Sequence, residues 1–234
     1  MTQPPDTITL YSAPLSMFGM KAEIALLEKG LAPDVVMVPF DAHDMYRPKH
    51  PEVLRVNPKQ QVPVLLHGTV EIFDSTQIFE YLEDLRPEPP LWPRGAGARA
   101  LARQREQMAD EVYFPFVIRL MFLRRDQEPE AVAEATEGAR AFYHRAEQWL
   151  ADGERTGGYL CGAHSYADIA LYMAALFGER HQAGMTQATP KLLAWRERMT
   201  ARPAVKLVVM RIAQWLRAAG RPVPASLADR PGGD

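Results

Sequence analysis

Residues 86–98, RPEPPLWPRGAGA, put Pro87, Pro89, Pro90 and Pro93 ahead of Gly95 and Gly97 and break every hydrophobic periodicity around them. Neither a helix interior nor a paired strand tolerates such a stretch. Proline lacks the backbone N–H and fixes φ, and glycine has the most conformational freedom to lose. The segment reads as a linker. It constrains the fold because the chain follows different rules on its two sides. Strand and helix signals alternate before it, and only helical periodicity remains after it. The expected organisation is a first domain over 1–85, a linker over 86–98, a second domain over 99–220 and a loosely held tail over 221–234.

In the first half, TITLY (7–11) is β-branched and apolar. MKAEIALLEKGL (20–31) sets Ala22, Ala25, Leu26 and Leu27 on a helical stripe and stops at Gly30. DVVMVPF (34–40) reads as a buried strand, and residues 46–58 are polar and turn-rich with at most a short helix. VPVLL, His67-Gly68 and VEIF (70–73) form a hairpin, and DSTQIFEYLEDL (74–85) a helix with Ile78, Phe79 and Leu82 on one face. A β-α-β unit followed by a hairpin and a helix is the arrangement of a thioredoxin-like domain. Beyond the linker, residues 99–125 predict a long helix kinked by Pro115, and further helices are expected over 129–152, 166–180, 191–200 and 204–220. The fold class is therefore a thioredoxin-like α/β domain followed by an all-α domain. A cleft between two unlike layers is the expected place for a ligand.

The chain has 234 residues, enough to bury a sizeable core, and its 47% apolar and 24% charged composition is that of a globular protein. A formal charge of −2 gives no electrostatic reason to expect nucleic acid or an anionic membrane as partner. The single cysteine, Cys161, excludes an internal disulfide and fits a reducing compartment, and it reads as a buried structural thiol. With no basic, apolar leader at the start and no apolar run of membrane-spanning length, the expected location is cytoplasmic. His43, His50, His67, His144, His164 and His181 show no metal-ligand spacing, so no metal site is expected.

The residues able to carry chemistry cluster at segment ends. Pro63 cannot donate to the sheet whose strand it opens, so it marks either a harmless strand start or a backbone held open for a ligand. Asp74-Ser75 sits at a strand-to-helix junction. The pair serves as an N-cap, or receives a carboxylate on the free N–H groups while Asp74 faces an ammonium. Ser16 has the same two readings before the first helix, as a cap or as a hydroxyl aimed at an anion from the positive helix end. Ser165-Tyr166-Ala167-Asp168 is a capping box and structural.

The stretches LYSAPLSMFGMKAEIALLEKGL and NPKQQVPVLLHGTVEIFDSTQIFEYLED, with GAHSYADIAL (162–171), resemble cytosolic glutathione transferases of the serine type, class unassigned. The resemblance touches both domains and implies a glutathione-binding first domain, a homodimer and glutathione as cosubstrate. By position, Pro63 would be the family's cis-proline and Val62 would offer its backbone to the cysteinyl part of glutathione. Asp74 and Ser75 would hold the γ-glutamyl headgroup, with Gln61 and Lys49 near the glycyl end. Ser16 would activate the thiol, with Ser12 the alternative. A thiol of pKa about 8.5 lowered by about two units becomes mostly thiolate at neutral pH, a stabilisation of about 2.7 kcal/mol. The thiolate would attack a small hydrophobic electrophile held by Tyr113, Phe116 and Arg119, with Leu120 and Phe122 further candidates and core packing the competing role for at least half of them. Met17, Gly19-Met20 and Gln60 depart from the family's usual residues. The rival functions are a non-catalytic glutathione-binding or regulatory module and a glutathione-dependent lyase, dehalogenase or isomerase.

Overall fold

The structure, a computed structural model, describes residues 7–40, 46, 47, 49–153 and 157–228; His43 lies outside them. The chain divides into two compact units, Met1–Pro89 and Pro90–Asp234.

The first unit is built on four strands: β1 (Ile8–Ser12), β2 (Asp34–Met37), β3 (Val64–His67) and β4 (Val70–Phe73), in the order β2-β1-β3-β4. β1 and β2 are parallel, whereas β1–β3 and β3–β4 are antiparallel, as the β-α-β and hairpin signals require. Strand alternation sorts the faces. Tyr11, Ala13, Val38, Val53 and Val64 pack together on one side of the sheet, against the short α2 (Pro51–Val56). Leu10 and Leu65, out of phase with these, are fully buried, as are Ile24, Leu26, Ile78, Phe79 and Leu82 from α1 (Met17–Glu28) and α3 (Ser75–Leu85).

α1 begins at Met17, three residues before the expected start at Met20, because Ser16 accepts from Gly19 N and caps it there. It ends at Gly30, whose φ of 66° lies in the left-handed region. The buried Lys29 ammonium closes this end by bonding Glu83 of α3 and, at 2.8 Å, the Pro89 carbonyl.

The second unit contains α4 (Ala96–Met108), a π-helical turn (Ala109–Tyr113), α5 (Phe114–Phe122), α6 (Pro129–Gly153), α7 (Tyr166–Arg180), α8 (Pro190–Ala201), α9 (Pro203–Ala218) and α10 (Ala225–Ala228). The expected single helix over 99–125 is interrupted by the π turn. That turn lies just before Pro115, whose missing N–H leaves the carbonyl four residues back without its usual partner. Residues 166–178 of α7 are all buried, so α7 is the axis on which α4, α5 and α8 pack. Its Asp168 carboxylate accepts from Ser165 N and Oγ, Leu160 N and Trp195 Nε1, all at 2.8–2.9 Å. The tail expectation needs correction over 225–228. Ser226 bonds the Glu179 carboxylate through its N and Oγ, and Leu227 is fully buried; residues 229–234 lie outside the described residues.

Candidate functional site

The strand register of the first unit gathers the predicted residues at one edge of the sheet. Tyr11 pairs with Val64, and Val64 with Phe73. The last residue of β1, the residues before β3 and those after β4 therefore leave the sheet at the same edge. Two helices begin there, α1 after Ser16 and α3 at Ser75, so two positive helix ends share that edge.

Ser16 is 8% exposed, and its Oγ accepts from Gly19 N at 3.0 Å. A hydroxyl that accepts from the helix keeps its own O–H to donate. The turn carrying it is fixed twice, by Ser16 N donating to the Ala13 carbonyl at 3.1 Å and by the Tyr46 hydroxyl donating to the Leu15 carbonyl at 2.8 Å. Ser12, on the face of the sheet opposite to Tyr11, is fully buried, and its Oγ has no hydrogen-bond partner among the described residues. Gly19 makes room for it: a Cβ there would fall 2.2 Å from Ser12 Oγ and 3.2 Å from Ser16 Oγ. The two candidate hydroxyls thus flank one glycine in the first turn of α1.

The loop from Asn57 to Pro63 forms the second wall. The Val62–Pro63 bond is cis, as expected; Pro63 is buried, Val62 half-buried and Gln61 exposed. The buried Asn57 holds the loop from inside, its Nδ2 donating to the Gln61 carbonyl at 2.6 Å and its Oδ1 accepting from Lys59 N at 2.9 Å. Lys49 braces it from outside, with Nζ donating to the Gln60 carbonyl at 2.7 Å. Gln60 itself sits at φ 55°, a conformation that favours glycine. Neither Asn57 nor Lys59 emerged as a site residue from the sequence, although Asn57-Pro58 is the kind of turn signal that fixes a loop through an Asn side chain.

Asp74, also at a positive φ of 75°, caps α3: its Oδ1 accepts from Thr76 N at 3.1 Å. Its Oδ2 faces Lys59 Nζ at 3.4 Å. Ser75 is buried at the first position of α3. The capping expected of Asp74 and Ser16 is therefore present, and it commits neither Asp74 Oδ2, which faces Lys59, nor the donor capacity of the Ser16 hydroxyl.

In the second unit Tyr113 is fully buried and its hydroxyl bonds that of Tyr143, which donates to the Ala183 carbonyl at 3.0 Å. Burial pushes the Tyr113 hydroxyl well above its usual range, with the neighbouring Tyr143 adding to it, and burial likewise pushes Tyr143 up. Neither phenol is a base at neutral pH. Phe116 is half-buried against Gly138, where a Cβ would fall 2.3 Å from its ring. Arg119 pairs with Glu134 at 2.8 Å; that hydrogen bond raises the guanidinium's pKa and lowers the carboxyl's. Leu120 is buried and Phe122 exposed. Cys161 is half-buried rather than buried, and burial, followed by the Asp168 charge, pushes its thiol up, the opposite of a reactive thiolate. Among the described residues no group of His, Cys, Asp and Glu could hold a metal ion.

Comparison with known proteins matches residues 10–90 to the glutathione S-transferase N-terminal domain and residues 107–203 to the glutathione S-transferase C-terminal domain. The chain is 31% identical over 197 residues to a probable glutathione S-transferase GSTU1 of Oryza sativa subsp. indica, covering 79% of this chain and 81% of that protein. Among solved structures it is similar to the beta-etherase LigF of Sphingobium sp. strain SYK-6, with TM-score 0.71 and 27% identity over 86% of this chain and 98% of that one. It also resembles Ure2p in complex with glutathione, with TM-score 0.76 and 21% identity over 88% of this chain and 94% of that one; at that identity the likeness concerns the fold alone. Two domain matches in their native order and a relative aligned along most of both chains agree with the sheet-edge geometry, and the chain belongs to the cytosolic glutathione S-transferase family.

Proposed function

We propose that the protein is a glutathione-dependent transferase that binds glutathione along the α1–α3 edge of its first unit and activates the thiol from Ser16. The observation that carries this reading is the meeting of three features at one sheet edge: the Ser16-capped helix end, the Val62–Pro63 backbone and the Asp74–Ser75 helix end. A γ-glutamyl headgroup carries a carboxylate and an ammonium next to each other. The carboxylate suits Ser75 and the N-terminal N–H groups of α3, and the ammonium suits Asp74 Oδ2. Val62 N and C=O suit the cysteinyl backbone, and Gln61 and Lys49 the glycyl end.

With the tripeptide so held, its sulfur approaches Ser16. Ser16 need not remove a proton. A hydroxyl hydrogen bond together with the α1 N-terminus stabilises the thiolate, and the proton passes to solvent. The thiolate then attacks a small hydrophobic electrophile, for which Phe116 and Arg119 are the proposed contacts; Tyr113, expected beside them, is fully buried against Phe142 and Tyr143 and belongs to the core. Ser12 is the alternative activating hydroxyl. The reading includes a cytoplasmic location, with no helix among the described residues long and apolar enough to cross a membrane. It also includes a homodimer, supported by exposed Leu101, Val112 and Phe122 along α4 to α5.

The likeness to a beta-etherase favours a second reading on the same site, in which the thiolate cleaves an ether rather than adding to an acceptor. Turnover of glutathione with an aryl halide and with a β-aryl ether tests both. Conjugation with the halide, lowered at least about ten-fold in Ser16→Ala, supports the transferase. Activity on the ether alone supports the second reading, and glutathione binding without either reaction would leave a non-catalytic module.

A further inference from the structure

Asp74 Oδ1 is committed to Thr76 N, so Oδ2 is the oxygen left for a ligand, and Lys59 Nζ stands 3.4 Å from it. The pair is exposed enough to exchange, with 60% of the Lys59 side chain and 39% of the Asp74 side chain accessible. Its backbone is less free. Asn57 Oδ1 fixes Lys59 N, Gln60 follows in a left-handed conformation, and Lys49 holds the Gln60 carbonyl, so the loop aims the Lys59 stem across the site. The other described cations near this loop are spoken for: Lys49 by Gln60, and Arg55 by Glu52 and Glu71.

We propose that Lys59 is an internal stand-in for the ligand's ammonium and that it sets the affinity for free-amine peptides. This inference rests on the headgroup reading of Asp74 given above. When the γ-glutamyl headgroup arrives, its ammonium replaces Lys59 Nζ at Asp74 Oδ2, and the lysine turns to solvent. No charge is gained at the carboxylate. One cation is exchanged for another, and the ligand's contact is worth less by the free energy of the pair it breaks. An exposed pair of this kind alters an equilibrium by about two- to five-fold. Before a ligand binds, Lys59 also keeps the carboxylate compensated, so the empty site carries no lone negative charge at the α3 cap.

Calorimetric titration of the full chain with glutathione and with N-acetylglutathione, which lacks the ammonium, tests the exchange in wild type, Lys59→Met and Lys59→Arg. The expected result is about two- to five-fold tighter glutathione binding in Lys59→Met, wild-type affinity in Lys59→Arg, and little change with the acetylated peptide. Weaker or unchanged glutathione binding in Lys59→Met overturns the exchange while leaving the headgroup reading intact. Equal tightening for both peptides also overturns it, because the ammonium then plays no part. If neither wild type nor Lys59→Met binds glutathione, the headgroup reading falls and the exchange falls with it.

Discussion

Gly19 is the residue at which one methyl group would reach both candidate hydroxyls at once. A Cβ there lies 2.2 Å from Ser12 Oγ, closer than any real contact, and the serine is buried with one rotatable bond in which to yield. In an exposed helix, glycine to alanine is worth about 1 kcal/mol in the helix's favour, but overpacking of this kind costs about 1–3 kcal/mol. Gly19→Ala should therefore lower stability in denaturant unfolding, and adding Ser12→Ala should recover most of the loss, because the atom in the way is gone. Full stability of Gly19→Ala alone would show that the two serines do not sit where they are described. The sequence marked Gly19 only as a departure from the family's usual polar residue. Its reason is a contact with a strand seven residues earlier, which local pattern does not carry. Gln60 differs: its φ of 55° lies in the region that favours glycine, a property of the folded loop that the residue type does not announce. Lys59 stayed hidden for another reason. A lysine in a polar loop is unremarkable until a carboxylate fifteen residues later is seen beside it.

Among elements, α7 and the loop before it depend on one carboxylate. Asp168 is fully buried and accepts from four donors on three segments: residue 160, residue 165 and Trp195 of α8. Burial raises its pKa while the hydrogen bonds lower it, with burial the larger effect. Asp168→Ala would strand those donors in the interior, at about 3–5 kcal/mol. The loss should appear as an earlier unfolding transition of the helical unit, followed by tryptophan fluorescence, since Trp92, Trp149, Trp195 and Trp215 all lie in that unit. A loss under about 1 kcal/mol would contradict the role assigned to it. This motif was legible because a capping box is local, four residues read in a line. The π turn over 109–113 was not. Pro115 announces a disturbance, but whether the helix kinks, stops or widens is decided by the packing of Tyr113 and its neighbours. α10 is not legible locally because its four residues are held by groups far from them in sequence: Glu179 of α7 bonds Ser226, and Arg217 of α9 donates to the Leu227 and Ala228 carbonyls.

For the whole molecule, the change of periodicity at the proline-rich segment was the most legible feature. Periods of about two and 3.6 residues are hard to confuse over long stretches; the first unit carries both in alternation, and the named elements of the second are all helical. The sheet edge that gathers Ser16, Val62–Pro63 and Asp74–Ser75 was legible only through family likeness. Those residues are separated by up to 59 positions and meet because of strand register. The central claim is that this edge binds glutathione and that Ser16 makes its thiol a thiolate. The direct measurement is thiolate absorbance of the glutathione complex as a function of pH, for wild type, Ser16→Ala and Ser12→Ala. The expected wild-type thiol pKa is about two units below the free value of about 8.5, with Ser16→Ala returning most of that shift and Ser12→Ala little of it. An unshifted thiol in wild type, or a shift that survives Ser16→Ala and vanishes in Ser12→Ala, would contradict it.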